Sequence, residues 1–287
     1  MKRILPLALC VWLLAACSSV PAPQLRSQRA DTLAVSRGWL PSTVNAGRFR
    51  LMRYLPSSYV ADEHLTVYIE GDGLAWINGQ QPSSDPTPNN PLALRLALAH
   101  PQGNAAYLGR PCQYVGADSA GCAERYWTHR RFAPEVIEAS GQALDGVKQQ
   151  FGARKITLVG YSGGAAVALL LAARRSDIAQ VITVAGNLDH HAWTQKMKIE
   201  ALAGSLNPAD AIAQLQHIPQ THFAGDADKT IPPSLSIDFA QRFPLDNRPA
   251  VIVKPGYGHE CCWADHWPQL LSEVDVHLGQ AAVSKER

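Results

Sequence analysis

The sequence has little of several features that mark whole protein classes. Charged residues make up 17% and aromatics 7%, and the formal net charge of the 287 residues is only +2. No tract of lysine and arginine occurs, which argues against a protein that holds nucleic acid by its phosphates. The 21 glycines and 20 prolines are scattered without a period, which excludes collagen-like and low-complexity architectures. The six cysteines include no pair of C-x₂-C units, so the usual signature of a structural zinc site is missing. No internal repeat and no second hydrophobic core is visible. Apolar residues are present in quantity, at 46%, as in chains that bury a large core, and this excludes disorder as the main state.

Lys2 and Arg3 precede an apolar run, Ile4–Ala16, that is interrupted by Pro6 and too short to span a membrane. It ends in Leu14-Ala15-Ala16-Cys17. This resembles a bacterial lipoprotein signal, in which cleavage precedes a cysteine that becomes lipidated. The resemblance implies a signal peptide over 1–16, lipid on Cys17, and membrane attachment in which each buried methylene contributes about 0.8 kcal/mol. Ser18 follows the cysteine, which by resemblance to Gram-negative lipoproteins implies the outer membrane of a bacterial envelope. Residues 17–31, rich in Ser, Pro, Ala and Gln, read as a flexible tether. The folded domain is then expected over 32–287. Loss of Lys2 and Arg3 leaves the mature chain formally neutral.

An envelope compartment permits disulfides. Cys112, Cys122, Cys261 and Cys262 remain after processing, and three pairings are open. Cys112–Cys122 closes a short loop containing Gly116 and Gly121 and is the preferred bridge. Cys261 and Cys262 are adjacent, with Cα atoms about 3.8 Å apart across a trans peptide. They form a vicinal bridge or reach different partners.

Beyond the tether, strand-like and helix-like segments alternate. Strands are expected over 32–39, 48–55, 65–69, 105–109, 155–159, 181–185, 221–224 and 249–254. Helices are expected over 92–100, 133–151, 165–175 and 267–278, and residues 78–91 read as a loop. Short apolar strands alternating with helices predict a mostly parallel sheet of about eight strands covered on both faces. The stretch 187–219, between two strands, is the natural place for a small helical cap.

Gly160-Tyr161-Ser162-Gly163-Gly164 fits G-x-S-x-G, and it follows an apolar strand and opens an Ala-rich helix. That context is what gives the pattern meaning: a serine on a sharp strand-to-helix turn has an exposed hydroxyl, and small neighbours let the turn pack. Such a serine needs a base oriented by an acid, in the chain order Ser…Asp/Glu…His. Two polar turns follow later strands. One contains Asp226 and Asp228, the other Gly258-His259. Both lie at strand C-terminal ends, where open α/β sheets build their sites.

With these motifs the chain resembles the α/β-hydrolase superfamily from Thr32 to Leu278. Gly225-x-x-Asp228-x-x-Ile231-Pro232 resembles the superfamily's acid turn, and that register selects Asp228 over Asp226. Gly258-His259 resembles its histidine loop. The resemblance implies Ser162 as nucleophile, His259 as base and Asp228 as the orienting acid. It also implies an oxyanion hole from the N–H groups of Gly163 and of the loop Glu70-Gly71-Asp72-Gly73. By position Asp72 supplies the second donor, with Gly71 and Gly73 as alternatives. Glu70 departs from the superfamily's common histidine. A small-molecule acyl substrate is implied, with no metal and no organic cofactor. The competing class is a non-catalytic envelope lipoprotein that keeps the fold for binding.

Three weaker signals remain. Trp127–Phe132 combines aromatics and cations; it reads as a solvated helix start, with recognition of a substrate carboxylate or phosphate as the alternative. Trp76 and Trp263 flank the two proposed site loops and read as an acyl-chain wall or as core. His190-His191 is assigned to the cap.

Overall fold

The computed structural model describes residues 20–274. The signal-like segment, Cys17 and the last four residues of the helix expected over 267–278 lie outside that range. Among the described residues, eight strands form one sheet. β1 (Trp39–Ala46) and β2 (Phe49–Pro56) pair antiparallel, and β2 lies antiparallel to β4 (Ala105–Leu108). The remaining pairs are parallel, with β3 (His64–Ile69), β5 (Lys155–Tyr161), β6 (Ile178–Val184), β7 (Gln220–Gly225) and β8 (Ala250–Lys254) following β4 in that spatial order.

The strand sequences explain the layering. β3 is buried from Leu65 to Ile69 and β5 from Ile156 to Tyr161, because a parallel sheet is covered on both faces. The two-residue period then sorts side chains between two cores. Leu65, Val67, Ile69, Ile156 and Leu158 face one; Tyr68, Val159 and Tyr161 face the other. β1, at the sheet edge, keeps exposed positions and tolerates Pro41.

Helices cover both faces. α1 (Pro23–Val35), α2 (Leu92–Leu98) and residues 267–274 supply one core. α3 (Pro134–Phe151) and α4 (Gly163–Ala172) supply the other. α3 starts at a proline, buries one stripe including Val136, Leu144 and Phe151, and ends at Gly152 with φ of +67°. α4 is apolar on every side and buried at every residue, as a helix enclosed by protein must be. Residues 187–219 carry α5 (His190–Met197), a 3₁₀ turn and α6 (Ile212–Leu215), before β7. α7 (Pro233–Gln241) precedes β8.

Two sequence expectations need correction. The tether is not flexible over its whole length, and the domain does not begin at residue 32. α1 starts at Pro23, and among the described residues no strand precedes Trp39. A polar composition suggested a linker, but Arg26, Ala30 and Ala34, spaced one turn apart, form one buried stripe. Arg26 pairs with buried Asp85 at 3.5 Å and donates to the carbonyl of Thr87, while Tyr54 donates to Asp31 at 2.7 Å. α7 was not anticipated either. Its Leu235, Phe239 and Ala240 are buried, but the pattern is short and follows two prolines.

Candidate active site

The carboxyl ends of β3, β5, β6, β7 and β8 converge on Ser162. Leaving β5, the chain turns sharply, and Ser162 sits at φ +50°, ψ −119°. A non-glycine residue there is strained, and the surroundings hold it: Ser162 N–H donates to Val184 O and Asn187 N–H donates to Ser162 O, both at 3.0 Å. The glycines behind the serine allow the loop after β3 to close on the helix. A Cβ on Gly164 would collide with the carbonyls of Ile69 and Glu70, and one on Gly163 would collide with the Asp72 carboxylate.

His259 stands 3.0 Å from Ser162 Oγ through Nε2 and 2.8 Å from Asp228 Oδ2 through Nδ1. A carboxylate only accepts, so Nδ1 carries the proton and Nε2 is free to accept from the serine hydroxyl. The other oxygen of Asp228 accepts the N–H groups of Thr230 at 2.8 Å and Ile231 at 2.9 Å. The acid is buried and fixed by the turn of its own chain. Asp226 is instead exposed and accepts Gly256 N–H at 2.7 Å, which pins the loop leading to His259. Geometry therefore brings Asp228, not Asp226, to the histidine.

The loop after β3 rests on a buried polar network. Glu70 Oε1 accepts Gly71 N–H at 3.0 Å and Ala93 N–H, at the start of α2, at 3.3 Å; Tyr107 donates to Oε2 at 3.1 Å. Burial pushes the Glu70 carboxyl up to about 7, outweighing those donors. Asp72 behaves oppositely. Burial works to raise it, but Arg131 at 2.6 Å and Arg110 at 3.3 Å hold it below the usual carboxylate range. Among the described residues no acceptor in the chain meets the Asp72 N–H. It remains available to an oxygen bound beside Ser162.

Both disulfides brace this site. Cys112 pairs with Cys122, the preferred bridge, and Cys261 with Cys262, which decides between the two readings of the adjacent pair. Next to Cys112, Gln113 donates through Nε2 to Gly71 O, and its Oε1 accepts Arg110 N–H, both at 3.0 Å. Cys261 O accepts Gly258 N–H at 3.1 Å, beside the histidine.

Two weaker readings change. Trp127–Phe132 is not a solvated helix start: Trp127 and Phe132 belong to the hydrophobic core, Thr128 is buried, and Arg131 is buried in an ion pair with Asp72. Trp76 lines the cavity above Ser162, but Trp263 does not. Trp263 is buried beneath the histidine loop and donates to the carbonyls of Gly258 at 3.0 Å and His259 at 3.2 Å. His190 and His191 open α5, within 187–219. Arg110, Gln113 and Asn187 were not singled out in the sequence; only the adjacency of Gln113 to Cys112 hinted at its place.

The cavity has a volume of about 310 Å³ and is walled on one side by Trp76, Trp193 and Ile231. No family model matches the sequence, and no curated protein is similar to it. Solved structures are similar. Esterase Pf2001 of Pyrococcus furiosus superposes with a TM-score of 0.58 at 12% identity, over 86% of this chain and 94% of its own. Est1E of Butyrivibrio proteoclasticus, in a structure with ferulic acid bound, gives 0.58 at 13% identity, over 84% and 99%. An α/β serine hydrolase homologue from Coxiella burnetii gives 0.53 at 16%, over 82% and 94%.

The chain has the α/β-hydrolase fold. In an α/β-hydrolase the nucleophile stands on the turn between a strand and its helix, and the second oxyanion donor comes from the loop after β3. In this chain Ser162 stands on the turn between β5 and α4, and Glu70-Gly71-Asp72-Gly73 forms the loop after β3.

Proposed function

We propose that this α/β-hydrolase is a serine hydrolase that cleaves an ester or related acyl bond. The observation that carries the reading is the unbroken hydrogen-bond chain Asp228–His259–Ser162. Ser162 Oγ attacks the acyl carbonyl as His259 Nε2 takes its proton. Asp228 keeps the ring oriented and stabilises the imidazolium that forms. The N–H groups of Gly163 and Asp72 hold the oxyanion, aided by the N-terminus of α4. His259 then protonates the leaving alcohol, and water, activated by the same ring, releases the acid from the acyl-enzyme. The solved neighbours called esterases and serine hydrolases support the hydrolase class. The Pro6-interrupted run ending at Cys17 supports a lipid-anchored envelope protein.

A fluorophosphonate probe tests the catalytic reading, because it captures a serine only when base and oxyanion hole activate it. The mature domain is expected to label at Ser162, and a folded Ser162→Ala variant is expected not to. Absence of labelling in folded, oxidised protein would overturn the reading. For the anchor, intact-mass analysis of the membrane-extracted chain should show an N-terminal lipidated Cys17. A Cys17→Ser chain should lose it.

A further inference from the structure

Two polar side chains in the active-site cavity are almost wholly buried yet incompletely paired. Arg131 is 4% exposed and Asn187 3%, and both line the cavity with Ser162. Arg131 donates through Nε to Thr128 O and through Nη1 to Asp72 Oδ2, both at 2.6 Å. Among the described residues, no acceptor in the chain meets its Nη2. Asn187 Oδ1 is buried with no partner. The Nδ2 end of the same amide makes no hydrogen bond among the described residues and is not among the buried unpaired atoms, so its NH₂ can be offered to a bound group. A ligand oxygen would give the free N–H groups of this guanidinium and amide a partner.

The position is next to the chemistry. Asn187 N–H holds the Ser162 carbonyl, and the Asp72 carboxylate that Arg131 grips lies against Gly163. Two buried guanidiniums, Arg110 and Arg131, share the single carboxylate of Asp72. Asp228 is taken by His259 and two backbone N–H groups. Glu260, at the mouth, is exposed and accepts from Asn90 at 3.1 Å. Glu70 is the remaining carboxyl on the cavity lining, and burial favours its neutral form.

We infer that Arg131 and Asn187 form an anion-reading subsite, and that the acyl group cleaved carries a carboxylate a few carbons from the scissile carbonyl. This rests on the serine-hydrolase reading above. Guanidinium is the side chain best suited to a carboxylate in a desolvated site. The 310 Å³ volume is at the small end of ligand sites, which run from about 300 to 1,000 Å³. It suits a short dicarboxylic half-ester rather than a long lipid chain.

The test compares monoethyl glutarate with the primary amide of the same half-ester, a neutral isostere. Wild-type enzyme should show kcat/KM at least about ten-fold higher for the carboxylate, the size expected for one charge-assisted hydrogen bond. The ratio should drop to near one in Arg131→Gln, keep part of its value in Arg131→Lys, and fall in Asn187→Ala. Reading a ratio within each variant separates the subsite from general damage to the site. A second measurement needs neither variant nor turnover: glutarate should slow fluorophosphonate labelling of Ser162, and glutaramide should not. Equal rates on both esters, or equal protection by both diacid analogues, would overturn the subsite and leave the hydrolase reading standing. Absence of labelling together with absence of turnover would instead overturn the hydrolase reading.

Discussion

Gln113 Nε2 donates to the carbonyl of Gly71 at 3.0 Å, joining the disulfide-bonded loop after β4 to the loop that faces Ser162. The side chain is buried, and its other end accepts the N–H of Arg110. One amide therefore sets two backbone segments against each other. Replacing Gln113 by Ala should lower kcat for a model ester about ten-fold or more while moving KM little, because the loop's donor acts mainly in the transition state. Replacing Cys112 and Cys122 together by Ser should lower unfolding free energy by about 3 kcal/mol, from the loop entropy released in the unfolded chain. Denaturant titration alongside steady-state kinetics separates the two effects.

The two aspartates of the turn after β7 should behave as different kinds of residue. Asp228→Asn should reduce kcat about 10⁴-fold, by favouring the wrong histidine tautomer. Asp226→Ala should cost about 1 kcal/mol of stability through its lost hydrogen bond to Gly256, with kcat/KM changed only a few-fold. Equal losses of activity in the two variants would contradict the assignment.

Glu70 should leave a mark on the pH dependence of stability. Its carboxyl is raised from an ordinary value of 4.5 to about 7. Below the unfolded value, both states hold the proton. As pH rises from there to about 7, the unfolded chain ionises while the folded chain resists. Stability is therefore lost over this window, by about 3 kcal/mol at most, and is flat above it. Unfolding free energies at pH 4.5, 6 and 8 should show wild type falling relative to Glu70→Gln. Parallel curves would show that Glu70 is not raised.

Arg26 tests whether the folded body begins at Pro23. Arg26→Ala leaves Asp85 buried without its partner and should destabilise the domain by about 3 kcal/mol. Hydrogen exchange should find the amides of α1 protected in wild type and open in the variant. A linker in this position would show neither effect.

How much was legible followed the range of the interactions. From residue 48 onward the order of the strands and of the helices other than those over 190–241 could be read locally, and so could the candidate residues Ser162, Asp228 and His259. Continuous apolar runs mark strands buried on both faces, and Gly160-Tyr161-Ser162-Gly163-Gly164 after such a strand marks a sharp strand-to-helix turn. The sheet order β1-β2-β4-β3-β5-β6-β7-β8 went beyond the sequence reading, because pairing joins segments far apart in the chain. α1 and the place of Arg131 were hidden for the same reason. A Ser- and Gln-rich stretch looks like a linker until Asp85, Thr87 and Tyr54 meet it. A cation before a helix looks solvated until Asp72, 59 residues earlier, pairs with it. Asp228 and Asp226 stand two residues apart with nearly the same surroundings in sequence, and only the packing of the β8 loop brings one to His259 and the other to Gly256. The sequence by itself determined which residue types could do chemistry. The tertiary structure decided which carboxylates, arginines and amides stand beside Ser162, because burial and charge pairing are properties of the assembled sheet edge rather than of any single segment.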